Sequence, residues 1–471
     1  MKAAGKVSKA AIERCSMIER LRQAFEEFLG LPTLIIVGYL LLAIGSNVLD
    51  HSRMAWLEPT RTVLKTLVFN DAKATSELLS TIASAVITVT SIVISLLIVA
   101  LQQAAGSLTT EIYDQFLRRW HNQFYFGFFA GLALFCLVTL ATVNDGFNPV
   151  FGAALALLLT VVALYLLIVL LYTTINQMRP AEVIDVIKHY ILSARENQLR
   201  LIVRTRSSAR GDGSSRMPVR SAKSGVVAEV DLDLLEAAAR EAGSAVEIVL
   251  QVSIGSYVSY RDIIAEVTGG MPEKAEKLSD CVRAAVRLQR QRNLSLDPGD
   301  GIKQLEMIAW TSISTAKSNP NPGLLVIQSL RDVLARWSEE KPDSASEPTT
   351  AVVYTDTVPA QLMDTFESLA VASTESMQHR TFAEVLRTLS ALFNRLPSNQ
   401  QRRTEDIILR ILSGLGDHIL TAPLDIELLR LAAVLSDGGR AETAAAVRKA
   451  RDKLARSVGR INSRSTRLEE Q

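Results

Sequence analysis

Side chains able to do chemistry are few in this chain of 471 residues, and their spacing narrows what they can do. The histidines His51, His121, His189, His379 and His418 form no His-Glu-x-x-His pattern and never sit four residues apart, the spacing that turns two imidazoles toward one metal on a helix face. Cys15, Cys136 and Cys281 are too dispersed for a disulfide framework or a Cys-x-x-Cys site, so reduced structural thiols are expected. No Gly-rich loop leads into a Lys-Ser/Thr pair, and Gly211 and Gly213 belong to a Ser/Gly/Arg-rich stretch, which removes the phosphate cradle of a nucleotide hydrolase. Adjacent carboxylates at Glu339-Glu340 and Glu469-Glu470 lie in polar segments, where a solvated charge run accounts for them better than acid–base catalysis. Asp300 and Glu306, on either side of Gly301, are the acidic residues best placed for a role. The expectation is a protein that is not an enzyme, with no catalytic residue, no metal site and no cofactor.

One polar pattern is periodic. Ser80, Ser84, Thr88, Ser91, Ser95 and Gln102 are separated by 4, 4, 3, 4 and 7 residues, so at about 100° per residue they fall in a narrow stripe along one helix. Small hydroxyl residues let helix backbones approach closely and hydrogen-bond across a membrane contact. The same stripe could line a water-filled path at an oligomer axis, and both readings stay open. No ionisable residue falls within the apolar core of a predicted span, so the usual marker of a proton relay is missing.

The elements that must hold this stripe follow from hydropathy. Four stretches, Leu31 to Leu49, Leu78 to Leu101, Phe124 to Val143 and Val150 to Thr173, reach the length needed to cross about 30 Å of hydrocarbon. Hydrophobic residues are 48% and charged residues 21%, an average that hides an apolar half before Pro180 and a charged half after it. A net charge of +2 without any finger, basic-region or ribonucleoprotein pattern argues against nucleic acid as a partner. Lys2, Lys6, Lys9, Arg14, Arg20 and Arg22 precede the first span, and Arg118 and Arg119 with Trp120 lie between spans two and three. The Asp145 to Pro149 loop carries no Lys or Arg, so the positive-inside bias predicts a bacterial inner-membrane protein with both termini cytoplasmic. Arg53, Arg61, Lys65 and Lys73 sit against that bias in the Asp50 to Ser76 loop, which is expected outside.

The predicted domain order is an amphipathic helix over 1–30, a four-helix transmembrane domain over 31–176, and an exit helix with linker over 177–222. A small β-rich unit (223–270), a helical segment (271–337), a linker (338–350), a helical bundle (351–460) and a disordered tail (461–471) complete it. Ile12, Cys15, Ile18, Leu21, Phe25 and Phe28 share one face of the first helix, which suits a membrane surface or a docking face on the soluble part equally. In the exit helix, Val183, Ile187, Ile191 and Leu192 form an apolar side. Arg195, Arg200, Arg204 and Arg206 are read as solvated, and Arg179 and Lys188 as headgroup contacts. Strands are expected over Ser224 to Val230, Val246 to Val252 and Tyr257 to Val267, with a helix over Leu232 to Ala242 and a turn at Gly255. Ala275 to Arg292 begins a run of helices that continues to Arg460, broken at Asn319-Pro320-Asn321-Pro322. The fold class is thus an α-helical integral membrane domain followed by a cytoplasmic α+β domain with a mostly helical C-terminal bundle. The β layout is similar to biotinyl- and lipoyl-type small barrels, without their lysine at an exposed hairpin tip.

The order of these features resembles the bacterial predicted membrane protein family called domain of unknown function 2254, over nearly the whole chain. The residues that carry the likeness are Leu78-Leu79-Ser80-Thr81-Ile82-Ala83, Ile87-Thr88-Val89, Phe116-Leu117-Arg118, Asn122-Gln123 and Ser224-Gly225-Val226-Val227. Further along come Gly255-Ser256-Tyr257-Val258, Asp297-Pro298 and Gly301-Ile302-Lys303-Gln304-Leu305 with Ile308-Ala309. Two departures stand out: Thr110-Glu111 replaces a Pro-Arg pair, and Ser314-Thr315 with Ser318-Asn319-Pro320 replaces a Ser-Pro…Asn-Asp-Pro turn. The resemblance implies four spans plus a cytoplasmic domain and no established activity. Two functions fit: an oligomeric channel or transport-like protein gated by its cytoplasmic domain, or a membrane-anchored interaction or sensing module without transport. The small-residue stripe predicts a homo-oligomer in the lipid bilayer under either.

Overall fold

The computed structural model describes residues 29–52, 58–67, 69, 71–107, 120–144, 146–177, 179–210, 216–243, 246–269, 275–290, 292, 295–314, 319–339, 350–417 and 419–457. The predicted N-terminal amphipathic helix and the C-terminal tail lie outside them. The chain divides into two compact units, Met1–Arg179 and Pro180–Gln471.

In the first unit, four helices are long and apolar enough to cross a membrane: α1 (Gly30–His51), the Ala72–Leu96 part of α3 (Ala72–Ser107), the Gln123–Ala141 part of α4 (Trp120–Ala141), and the Val150–Thr174 part of α5 (Val150–Gln177). At 1.5 Å per residue the 22 residues of α1 extend about 33 Å, enough for the hydrocarbon layer. A further helix, α2 (Glu58–Leu67), forms in what reads from sequence as a loop.

The third span is the hub, because the other three all pack on α4. Gly127 and Gly131 explain how α1 comes so close. A Cβ on Gly127 would stand 2.9 Å from Pro32 Cα, and one on Gly131 would collide with the Tyr39 ring. That ring lies edge-on to Phe128 at 5.7 Å and to Phe135 at 6.4 Å, the offset geometry aromatic quadrupoles favour. Close approach through small residues one turn apart is how membrane helices gain van der Waals contact when lipid is as apolar as leucine. The glycines of span three do this work within the chain.

The second unit opens with α6 (Pro180–Arg204), and here the sequence reading needs correction. Ile184, Ile187, Ile191, Ala194, Arg195, Gln198 and Leu201 form a buried face against α9 (Pro298–Ser314) and α10 (Asn321–Glu339). A Cβ on Gly301 would lie 2.5 Å from Ile191 Cγ1, so the glycine of the Gly301-Ile302 motif is where α9 crosses α6. Arg195 and Arg206, expected in solvent, are each only 6% exposed.

The β region consists of two sheets rather than one unit confined to 223–270. Strands β1 (Met217–Arg220), β5 (Ile263–Thr268), β3 (Glu247–Leu250) and β7 (Val352–Val353) form one sheet in that order, and β4 (Tyr257–Val258), β2 (Gly225–Val230) and β6 (Val286–Gln289) form the other. Part of the expected linker is therefore β1, the end of the expected helix Ala275 to Arg292 is β6 after a shorter α8 (Ala275–Ala285), and β7 joins from beyond the 338–350 linker. β7 pairs parallel with β3, Ile248 opposite Val352 and Val249 opposite Val353. The sheets share one core, in which Val219, Ile248, Leu250 and Val267 of the first meet Val227, Val230, Val258 and Val286 of the second, closed by Leu235 and Ala239 of α7 (Leu232–Ala242). Asp231 caps α7 by accepting the Leu234 N–H at 3.1 Å.

The remaining helices, α11 (Val358–Glu375), α12 (His379–Leu392), α13 (Ser398–Ser413), α14 (Ala422–Asp437) and α15 (Ala441–Ser457), fall within the helical run expected to continue to Arg460. They stack successively, α10 and α14 against α12 and α15 against α14, around Phe366, Phe382 and Phe393.

Candidate functional site

A cleft of about 720 Å³ opens in the second unit where the two sheets part company. Its floor is Leu250 of β3, Ile263 of β5, Val258 of β4 and Val252 in the turn between, and its rim carries Arg220, Gln251, Tyr257, Arg261, Asp262, Thr355 and Thr357. The connection from β3 to β4 is fixed by its own hydroxyls. Ser256 Oγ donates to the Ser253 carbonyl at 2.6 Å and accepts the Ser253 N–H at 3.2 Å, while Thr357 Oγ1 donates to Ser253 Oγ at 3.1 Å.

Beneath this turn lies a buried polar layer. Gly255 has φ +85°, open to glycine at little cost, and any Cβ there would collide with the Asp297 carboxylate. Asp297 precedes Pro298 and caps α9, its Oδ1 accepting the Asp300 N–H at 3.2 Å. Arg292 bridges the two carboxylates, 3.3 Å from Asp297 Oδ2 and 3.4 Å from Asp300 Oδ1, and Gln304 Nε2 donates to Asp300 Oδ2 at 2.9 Å. Burial pushes the Asp297 carboxyl up to about 6; Arg292 opposes the shift and the neighbouring Asp300 adds to it. The motif residues Gly255, Asp297 and Gln304 thus meet in one layer that supports the cleft.

A second buried network holds the far wall. Arg195 pairs with Asp356 at 2.8 Å, donates to Gln198 Oε1 at 2.9 Å and lies 5.0 Å over the Trp337 ring. Asp356 Oδ1 accepts the Val358 N–H at 3.2 Å, and Tyr354 Oη accepts the Ile254 N–H at 3.2 Å, tying the segment after β7 to the cleft turn. Burial raises the Tyr354 phenol. Arg206 pairs with Glu247 at 2.5 Å and bonds the β7 backbone on both sides, through its N–H to the Val352 carbonyl at 3.0 Å and its carbonyl to the Tyr354 N–H at 2.9 Å. The cleft presents hydroxyls, an amide, a phenol and two guanidinium groups over an apolar floor, which is the chemistry of a small-molecule binding surface.

The residues singled out from sequence fall elsewhere. Ser80, Ser84, Thr88, Ser91 and Ser95 are exposed on α3, on the side away from its buried Leu79, Ile82, Val86 and Val93. Thr88, Ser91 and Ser95 hydroxyls donate to the carbonyls of Ser84, Ile87 and Ser91 at 2.9, 3.1 and 2.9 Å. Each of these three hydroxyls is satisfied one turn back along its own helix. Gln102 continues α3. Arg118 and Arg119 lie outside the described residues; Arg179 is exposed just before α6. Lys188 forms an ion pair with Asp332 at 3.1 Å, so a lipid headgroup would have to compete for its ammonium. Asp300 is in the buried layer, and Glu306 accepts from Thr365 Oγ1 at 3.2 Å. At the turn around Asn319, its Oδ1 accepts the Asn321 N–H at 3.0 Å, so an amide oxygen provides the turn's acceptor.

Sequence reasoning missed Arg220 and Arg261, whose only signal is the Ser259-Tyr260-Arg261-Asp262 run, polar and aromatic between apolar strands. It also placed Asp50 in a loop. Asp50 closes α1, is 1% exposed, and accepts the Phe151 and Gly152 N–H groups of α5 at 3.0 Å each. Arg61 donates to the Asp50 carbonyl at 2.6 Å, so one of the basic residues that oppose the positive-inside bias is engaged within the membrane unit.

A family model described as predicted membrane protein, DUF2254, matches residues 26–389, which include all four spans, both sheets and the cleft. No curated protein matches the chain, and no solved structure does.

Proposed function

The chain belongs to the DUF2254 family of predicted membrane proteins, and on that premise we propose that it is a membrane-anchored sensing module whose soluble unit binds a small molecule. The observation that carries this reading is the cleft: about 720 Å³, polar at the rim, apolar at the floor, and braced from below by buried ion pairs. Rigid support beneath a solvent-facing pocket is what a selective binding site requires. In this reading the spans anchor the chain in the bacterial inner membrane with both termini cytoplasmic, and Lys/Arg placement around the described spans supports that orientation.

The test is hydrogen exchange on the full-length protein in mild detergent. A low-molecular-mass cell extract is expected to slow exchange across residues 250–263, and Ser253→Trp, which fills the cleft, to abolish the effect. Unchanged exchange would sink the reading.

A second reading, an oligomeric channel or transport-like protein, is favoured by the outward-facing hydroxyl stripe on α3. A second copy seated on that face would place Ser84, Thr88, Ser91 and Ser95 at a symmetry axis. With Cys15, Cys136 and Cys281 replaced, single cysteines at those positions are probed with a membrane-impermeant thiol reagent, with buried Val86 and exposed Ile92 as controls. Labelling of the stripe alone supports an aqueous path; uniform protection supports an anchor. Light scattering in the same detergent reads the homo-oligomer that both versions expect.

A further inference from the structure

We infer that the cleft selects a small organic anion, a phosphate or carboxylate held by the guanidinium groups of Arg220 and Arg261; this rests on the ligand-binding reading above. Arg261 adopts φ +71°, a left-handed conformation that costs a non-glycine residue about 1 kcal/mol or more. The turn is held there by two backbone bonds, Arg261 N–H to the Ser221 carbonyl at 3.0 Å and Ser221 N–H to the Asp262 carbonyl at 2.9 Å. Arg220 Nη1 donates to the Arg261 carbonyl at 3.0 Å, so the strained turn brings both arginines to one rim.

Their charge is not spent inside the protein. Among the described residues neither guanidinium has a carboxylate within ion-pair distance, whereas Arg204, Arg216 and Arg287 of the same unit each do. Asp262 is the acidic residue on the cleft wall, and its Oδ2 already accepts the Ser259 N–H at 2.7 Å. Two planar donor forks against one engaged carboxylate leave the rim positive, in the geometry that recognises oxyanions. Tyr257, 67% exposed, adds a ring face, and Thr355 and Thr357 add hydroxyls for the body of the ligand.

The full-length protein in mild detergent is titrated with pyrophosphate, citrate and adenosine monophosphate, with adenosine and glucose as neutral controls at matched ionic strength. Hydrogen exchange over residues 250–263 is the readout. At least one anion is expected to slow exchange, and Arg220→Gln or Arg261→Gln to weaken its binding about tenfold or more, as loss of a charge-assisted hydrogen bond implies. Arg261→Gly removes the guanidinium while relieving the left-handed backbone, so it should keep or raise stability yet lose the anion. Unaltered exchange in β3 and β5 certifies that a variant is folded. Neutral probes binding as well as anions, in wild type and variants alike, would overturn the anion assignment and leave the sensing reading standing. If the anions fail while cell extract still protects the cleft, the assignment falls alone; if both fail, the two readings fall together.

Discussion

Asp297→Asn tests whether the layer beneath the cleft holds a proton. The folded carboxyl titrates at about 6 against an ordinary 3.8, chiefly because burial disfavours its charge. The folded chain therefore binds more protons than the unfolded chain between about pH 4 and 6, and stability from this site is fully present below the unfolded value and lost as pH rises through 6. At about 1.4 kcal/mol per pH unit the loss approaches about 3 kcal/mol. Asparagine keeps the shape and the helix-capping oxygen without the charge. Urea unfolding of the full-length protein in detergent, followed by the fluorescence of buried Trp337, gives stability at each pH. The difference between wild type and Asp297→Asn should fall by about 2 kcal/mol from pH 4.5 to pH 7.5. A difference that stays flat, or that grows in favour of wild type as pH rises, would refute the reasoning and show that Arg292 outweighs burial.

Other perturbations follow from the same geometry. Gly255→Ala meets both a positive φ and the Asp297 carboxylate, so it should lower the unfolding free energy in urea by at least about 1–2 kcal/mol and weaken any cleft ligand. Arg195→Ala leaves Asp356 without its buried partner and should cost about 3–5 kcal/mol in the same assay, far more than Lys188→Ala at its half-buried pair. Asp50→Ala removes the acceptor of two α5 N–H groups and should destabilise the membrane unit by about 1–3 kcal/mol in thermal unfolding, with Asp50→Asn intermediate.

Hydropathy made the four spans readable, because lipid demands long apolar helices and tolerates little else. The helices from α9 onward were readable for a similar reason, each carrying a buried stripe at helical spacing. β1 was hidden because Met217-Pro218-Val219-Arg220 contains a proline and an arginine after a Gly/Ser-rich run; as an edge strand it tolerates both. β6 was hidden because Val286-Arg287-Leu288-Gln289 continues a good helix former, and only pairing with β2 makes it a strand. Arg195 and Arg206 looked solvated because arginine is almost never buried alone, and their partners Asp356 and Glu247 lie far along the chain. The cleft had no local signal, since its rim comes from β1, two turns and the segment after β7, which meet only in three dimensions.

The late arrival of β7 bears on how the protein is made. Arg206, β3 and Val352-Val353 lie side by side in one sheet, so that sheet stays unfinished on the ribosome until residue 353 has left the exit tunnel. Until then the spans can already insert, but β3 presents an open edge for about a hundred residues of synthesis, an invitation to wrong pairing with other nascent chains. A truncated product ending near residue 337 would keep that open edge permanently.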